Sequence, residues 1–419
     1  MVKKVLTAYK TELDPNNVQI TLFKQHAGAA RFAFNWALAI KDKHFKERSK
    51  MPSAYELHRM LNKRKKEDID FNKWAYDISK WTFQNALFNV DTAYDGFFRR
   101  CRERKQGKNK KRKLGYPKFK CKKNKHESFR LDPPITVYED KIKLPKIGIV
   151  RLKEHNYLPM DKKILSATIS RRADKWFVSI NVETEIEDVQ HSIFDDRLGI
   201  DLGIKSMATC SDGTSYENPM PLKKNLKRLK RIQRRFSKKQ KGSNNKEKQR
   251  IKLSRLHLKV SNIRKDCLHK VTSNIVQKAN VFVLENLNVT NMMKNHNLAQ
   301  SIHDVGFYEF RRQLEYKAKL LGKHVLYADQ WFASSKTCSC CGWKKDDLSL
   351  TDRIFECKVC ESKIDRDLNA AINLKNYTVS STEINACGDL KSIAGELSPA
   401  RCKSEKQESN VKYYTLKNV

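Results

Sequence analysis

Leu198-Gly199-Ile200-Asp201-Leu202-Gly203-Ile204-Lys205 decides how the chain is read. An apolar run of this kind predicts a buried strand, yet it carries one aspartate in its middle and a glycine on each side. An ionised carboxylate in such a setting must be paired, hydrogen-bonded or bound to metal. Asp201 is therefore read as a metal ligand, with a turn aspartate as the competing reading until its partners are found.

Working outward, Val281-Phe282-Val283-Leu284-Glu285-Asn286-Leu287 repeats the pattern of a buried-type strand ending in a carboxylate. Asp365-Arg366-Asp367-Leu368-Asn369-Ala370-Ala371-Ile372 supplies further acids at the opening of a predicted helix. Converging carboxylates without a cation would repel by about 4 kcal/mol per pair at ~4 Å and an effective dielectric near 20. Oxygen-only ligands favour Mg2+ or Mn2+ over zinc, and two such ions serve phosphodiester hydrolysis. Between the second and third acids lie Cys338-x-x-Cys341 and Cys357-x-x-Cys360, the spacing of a four-thiolate zinc site. Four sulfurs close the coordination sphere, so this zinc is structural. Cys340 is left over as a bystander.

The charge names the partner. Lys and Arg number 86 against 47 Asp and Glu, for a net charge of +39 over 419 residues. A body this basic is stabilised by a polyanion. The chain has no apolar run of spanning length, and no apolar segment follows the basic start at Met1-Val2-Lys3-Lys4. Nucleic acid is thus favoured over membrane. An odd number of cysteines, 11, four of them in metal spacing, fits a reducing compartment and a cytosolic or nucleoid setting. Residues 99–125 hold 15 Lys/Arg and one acid, Glu103, and read as a linker that a phosphate backbone orders; 222–265 hold 19 and one acid, Glu247, on two helical arms. The candidate phosphate contacts are Arg99, Arg100, Arg102, Lys110, Lys111 and Arg112 in the first stretch. In the second they are Lys227, Arg228, Arg231, Arg234 and Arg235.

Alternation in Val18-Gln19-Ile20-Thr21-Leu22 predicts a half-buried strand paired with one in residues 1–13. From Lys24 to about Arg112 the spacing turns helical, as in Ala29, Phe32, Ala33, Trp36, Ala37 and Ile40. Short strands return over 126–185, with turns at Glu139-Asp140 and Ala173-Asp174, and predict a small β-barrel completed by the N-terminal strands. Ser211-Asp212-Gly213-Thr214 reads as a hairpin turn.

The order Asp201, Glu285, cysteine pairs, Asp367 resembles the TnpB family of transposon-encoded RNA-guided nucleases, related to type V CRISPR effectors. Gly199 to Gly203, Leu284 to Leu287, Ser334 to Cys360 and Asp365 to Ala371 carry the resemblance, which spans roughly 195–375; residues 1–190 match only in plan. It implies an α/β multidomain protein with an RNase H-like (RuvC) nuclease core over 189–332 and 362–378 and a zinc ribbon at 333–361. It further implies a split β-barrel (wedge) domain over 1–23 and 113–188 and a helical recognition domain at 24–112; the polar composition from 379 to 419, with Gly388, Gly395 and Pro399, itself predicts a flexible tail. By the same resemblance Asp201, Glu285 and Asp367 are the catalytic acids, and Asp365 a helix cap. A guide RNA from the transposon end and target double-stranded DNA beside a short flanking motif are the implied partners, with one chain or two on each RNA. Glu361 departs from the family, which often has glycine there. Two other readings stay open on the residues alone: an RNA-independent transposase or resolvase, and a zinc-ribbon regulator with vestigial acids.

Overall fold

The computed structural model describes residues 2–107, 113–122, 127–187, 196–349 and 352–377. Its described residues fall into two compact units, Lys4–Glu185 and the stretch from Ile186 to Tyr377. The tail from 379 to 419 lies outside the described residues, as do Lys110, Lys111 and Arg112.

The first unit runs β1 (Val2–Asp14), α1 (Asn17–Lys46), α2 (Ala54–Glu67), α3 (Ile69–Ala75) and α4 (Lys80–Lys105). Then come β2 (Ser128–Leu131), β3 (Thr136–Val137), β4 (Lys141–Leu144), β5 (Gly148–Leu152), β6 (Ile164–Arg172) and β7 (Lys175–Glu187). Val18–Leu22 is not the expected strand; it is the first turns of α1. Asn16 accepts from Gln19 N at 2.9 Å while the Gln19 side chain accepts from Asn16 N at 3.1 Å. That reciprocal capping box satisfies two otherwise orphaned donors and starts a helix where alternation alone argued for extension. Val18 is exposed, so its apolar character carries no burial signal.

The strands form one seven-stranded sheet in the order β2-β6-β7-β1-β5-β4-β3. No pairing joins β2 to β3 among the described residues, so the sheet is open and the expected barrel does not close. The N-terminal segment gives it one strand rather than two. Buried Phe23, Ala27, Ala30, Ala33, Phe34, Ala37 and Leu38 make one face of α1 at three- and four-residue spacing. Phe23 sits 4.9 Å from Trp176 and 6.0 Å from Phe129, which joins helices and sheet in one apolar core.

Residues 99–107 and 113–122 also differ from the expected linker. Arg99 to Lys105 are the last turns of α4. Beyond them, Tyr116 donates to Asp42 Oδ1 at 2.6 Å, and Asn35 pairs with the Lys120 backbone at 2.8 and 2.9 Å. A one-sided charge count does not register such neutral anchors.

The second unit runs β8 (Arg197–Asp201), β9 (Ser206–Cys210), β10 (Ser215–Glu217), α5 (Pro221–Ser237), α6 (Asn244–Lys278) and β11 (Val281–Glu285). After them come α7 (Val289–Met292), α8 (His296–Val305), α9 (Phe307–Leu320), β12 (His324–Ala328), β13 (Ile354–Glu356), β14 (Lys363–Asp365) and α10 (Arg366–Lys375). Its main sheet has the order β10-β9-β8-β11-β12. β8 is parallel to β11, and β11 to β12, while β8, β9 and β10 are antiparallel neighbours. Ser211–Thr214 makes the expected turn between β9 and β10. Successive side chains leave a strand on opposite faces, which sorts the sheet cleanly. Leu198, Ile200, Phe282 and Leu284 join Leu268 and Ile275 of α6 and Phe310 and Leu314 of α9 in one cluster. Val281 and Val283 join Leu374 of α10 in another. The sheet is thus sandwiched between α6/α9 and α10.

A candidate metal-dependent nuclease site

The register brings the first two acids together. Val283 lies opposite Gly199 and Leu284 opposite Ile200, so one step further Glu285 stands opposite Asp201. In-register neighbours on adjacent strands share a face about 4.8 Å apart. By parity that face is the one carrying Gly199 and Val283, covered by α10. Gly199 is what lets α10 come so close: a Cβ there would lie 2.0 Å from the Ala371 carbonyl oxygen and 2.4 Å from Lys375 N.

Asp367 enters from the first turn of α10. Asp365 caps that helix, accepting from Asp367 N at 2.9 Å and Leu368 N at 3.1 Å. Its carboxylate is thereby engaged with backbone donors. Glu285 accepts a short hydrogen bond from Ser334 Oγ. Asp367 accepts from Arg366 Nη2 at 3.2 Å, with Arg353 Nη1 4.0 Å away.

Electrostatics report the crowding. Burial holds the Asp201 carboxyl well above the usual carboxylate range; the Glu285 and then the Asp367 charges push it the same way, and Arg366 opposes them. Burial also raises Glu285, and Asp367 adds to that, against the Ser334 hydrogen bond. Like charges at shared range disfavour ionisation, and a divalent cation reverses the sign. The donor set fits Mg2+ or Mn2+: oxygens only, on the rims of two strands and a helix. The three carboxylates are not drawn to mutual ligand distance. Among the described residues, the one group of three or more His, Cys, Asp or Glu ligand atoms lying within 4.8 Å of one another is Cys338, Cys341, Cys357 and Cys360.

Those sulfurs are spaced for zinc. Cys338 and Cys360 Sγ are 3.7 Å apart, and Cys341 and Cys357 3.5 Å; a tetrahedral site with Zn–S near ~2.3 Å needs roughly 3.8 Å. Each pair of cysteines closes on a left-handed residue: Gly342 at φ 78° in the first knuckle, Glu361 at φ 55° in the second. Glu361 therefore occupies a backbone region that costs an L-residue about 1 kcal/mol or more. Cys340 is exposed and outside the four-sulfur group.

Two asparagines absent from the sequence-level site tie this module to the acids. Asn369 donates to the Thr337 carbonyl at 2.7 Å and accepts from Ser339 N at 2.9 Å. Asn373, one turn on, donates to the Ser334 and Thr337 carbonyls at 2.7 and 2.6 Å. The available signal was a polar pair at i and i+4 on the same helix stripe as Ala370 and Leu374.

The basic residues divide. Lys227, Arg228, Arg231, Arg234 and Arg235 are all exposed on α5, whose buried contacts are Pro221 and Leu229. Arg99 and Arg102 are exposed on α4. Arg100 is not available in the same way: its guanidinium donates to the Leu114 and Gly115 carbonyls and pins that loop.

The fold resembles that of Cas12f1. Over 86% of this chain and 82% of that one, it superposes on the protein in a cryo-EM structure of the Cas12f1-sgRNA-target DNA complex, with TM-score 0.52 and 16% identity. Three family models match: "Probable transposase" at residues 179–296, "Cas12f1-like, TNB domain" at 307–374, and "Helix-turn-helix domain" at 1–50. The last covers one strand followed by one 30-residue helix in this structure. "Putative RNA-guided DNA endonuclease InsQ" of Escherichia coli (strain K12) is 32% identical over 404 residues, spanning 92% of this chain and 95% of that protein. A "Putative RNA-guided DNA endonuclease" of Streptomyces pristinaespiralis is 31% identical over 393 residues, spanning 93% and 92%. The chain belongs to this family of TnpB-like, transposon-derived RNA-guided DNA endonucleases.

Proposed function

We propose that the protein cuts DNA phosphodiesters at sites matching a bound guide RNA, using an RNase H-like (RuvC-type) core with Asp201, Glu285 and Asp367 as its catalytic acids. The observation that carries this is the register of β8 and β11, which stands Asp201 beside Glu285 under the first turn of α10. Two Mg2+ or Mn2+ ions, when bound by these carboxylates, supply activation of a water and stabilisation of the leaving oxygen. Ser334 orients Glu285, Asp365 holds the N-terminus of α10, and Arg366 balances charge at Asp367. Cys338, Cys341, Cys357 and Cys360 hold a structural zinc that takes no part in the chemistry. The exposed cations of α5 and α4 bind nucleic-acid backbone, and sequence is read by guide pairing, with the protein reading duplex shape and a flanking motif. A prokaryotic cytoplasmic or nucleoid setting follows from these partners; no described helix is long and apolar enough to cross a membrane.

The test is to express the chain with its element's flanking DNA, sequence the RNA that copurifies, and assay plasmid cutting. A discrete RNA whose variable end dictates the cut site is expected, with Asp201→Ala abolishing cutting while RNA stays bound. Equal cutting after RNA removal would instead favour an RNA-independent transposase or resolvase.

A further inference from the structure

Asp201 has an in-register neighbour on each side, and only Glu285 is an acid. On the other side β8 pairs with β9 so that Ile200 stands opposite Cys210 and Asp201 opposite Thr209; Thr209 in turn stands opposite Ser215 of β10. One row across the sheet therefore reads Glu285, Asp201, Thr209, Ser215. Residues directly opposite share a face, with Cβ atoms about 4.5–5.5 Å apart. Ala208 and Cys210, the chain neighbours of Thr209, turn to the other face and join Ile200 and Leu284 in its core. Ser211 pins this register: its N–H donates to the Gly199 carbonyl at 2.9 Å, and its Oγ accepts from Gly199 N at 3.1 Å.

The three acids differ in what holds them. Glu285 accepts from Ser334, and Asp367 from Arg366. Asp201 accepts no hydrogen bond among the described residues: burial and neighbouring charges are all that act on it. Beside it, Thr209 is 6% exposed, and its hydroxyl has no hydrogen-bond partner among the described residues. The next hydroxyl in the row is already engaged, with Ser215 Oγ 2.9 Å from Ser206 Oγ. An unused buried hydroxyl costs about 1–3 kcal/mol, and valine would fill the same space without it, so packing alone gives no reason for threonine here.

We propose that Thr209 is the positioning residue of Asp201: with metal bound, its hydroxyl donates to the Asp201 oxygen that the metal leaves free. The inference rests on the nuclease reading given above. Carboxylates that ligate metals are themselves hydrogen-bonded, and the partner fixes how the ligand is oriented. A carboxylate anchored on a cation offers its second oxygen as an ionised acceptor, which a hydroxyl bonds more strongly than a neutral one. Thr209 turns toward it by a step between staggered χ1 wells. Ser334, Arg366 and Thr209 then give each acid one partner of its own.

The experiment uses the full-length chain with its copurifying RNA. It compares the parent with Thr209→Val, which keeps the shape, and Thr209→Ser, which keeps the hydroxyl. Fe2+ in place of Mg2+, with ascorbate and peroxide, cleaves the polypeptide beside the bound ion. The Mg2+ concentration that halves the fragments ending near Asp201 then reads metal affinity without reading catalysis. Thr209→Val should raise that concentration roughly 10- to 100-fold and raise the Mg2+ midpoint of single-turnover cutting by the same factor. Its thermal midpoint should not fall, since volume is kept and an unpartnered hydroxyl is removed. Thr209→Ser should stay near the parent in both metal readouts. Unshifted metal readouts in Thr209→Val would overturn the proposal, as would equal shifts in the valine and serine variants, which would make the effect one of packing. The two readings fail separately. Fragments that Asp201→Asn removes but Thr209→Val leaves untouched keep the metal site and drop Thr209. Fragments that survive in Asp201→Asn, from a chain that never cuts, remove the acids as the metal site and the role of Thr209 with them.

Discussion

Gly199→Ala should disable the nuclease from a position that touches no substrate. The added Cβ would sit 2.0 Å from the Ala371 carbonyl oxygen, where ordinary contact begins at 3.4 Å. The obstacle is helix backbone, which cannot rotate away, so α10 must retreat by 3.4 − 2.0 = 1.4 Å. Overpacking a rigid contact costs about 1–3 kcal/mol, and this one belongs at the upper end. Asp367, a proposed catalytic acid, rides on α10, and a ~1 Å misplacement of a catalytic group costs about 10²-fold in rate. The expected result is a chain that still binds RNA, has a lowered denaturant midpoint, and cuts at least about a hundredfold more slowly in single-turnover assays. Gly213→Ala is the control. Gly213 has φ +85° and nothing within 4 Å of its virtual Cβ, so that variant should lose about 1 kcal/mol and keep its cutting rate. Normal cutting and an unchanged midpoint in Gly199→Ala would refute the claim that close approach of β8 and α10 sets the site.

Three further predictions follow from the same unit. Asp304, buried on α8, caps the start of α5 across space, accepting from Leu222 N at 3.0 Å and Lys223 N at 3.1 Å while pairing with Arg264 at 3.0 Å; Asp304→Ala strands that arginine and should cost about 3–5 kcal/mol, read by chemical denaturation. Lys317 is buried, donates only to uncharged oxygens of His269, Thr272 and Ser273, and has its ammonium pushed down to about 7 by burial. A folded pKa below the unfolded value of about 10.4 means the unfolded chain binds more protons between those limits, so stability rises with pH there. Relative to Lys317→Met, the parent should gain about 2 kcal/mol from pH 7 to pH 9, and a flat difference would contradict the buried-neutral assignment. Cys357→Ser should lower zinc content, measured by plasma mass spectrometry, together with the thermal midpoint, whereas Cys340→Ser should leave both unchanged.

Much of the proposed catalytic edge is legible in the sequence because each of its signals is local and chemically improbable elsewhere. A carboxylate at the end of a buried strand, repeated eighty-four residues on between Asp201 and Glu285, marks two strand ends, and cysteines in paired spacing mark a cluster. Asp365 reads as a cap because its place before Asp367 and Leu368 is a helix start. What the sequence hides is non-local. Alternation over five residues at Val18–Leu22 fits a strand or the surface of a helix equally well, and the Asn16/Gln19 pair that decides it is a two-residue signal easily passed over. Barrel closure depends on which strands pair, and nothing in β2 or β3 alone reports that they end at opposite edges of one sheet. Arg100 counts as one more positive charge until the Leu114 and Gly115 carbonyls are seen to occupy it. Asn369 and Asn373 lie in a helix whose text reads as small and apolar, and their partners are thirty or more residues away.

Asn373 and Ser334 also tie the acids to the thiols. Ser334 gives its hydroxyl to Glu285 and its carbonyl to Asn373, so the loop that opens the four-thiol module is shared with the edge that carries the acids. Asn369 and Asn373 hold backbone groups of Ser334, Thr337 and Ser339, so a drifting α10 would loosen a four-thiol module it does not belong to. Oxidation of the thiols, by letting that first loop slacken, would disturb a proposed cutting centre that contains no sulfur at all.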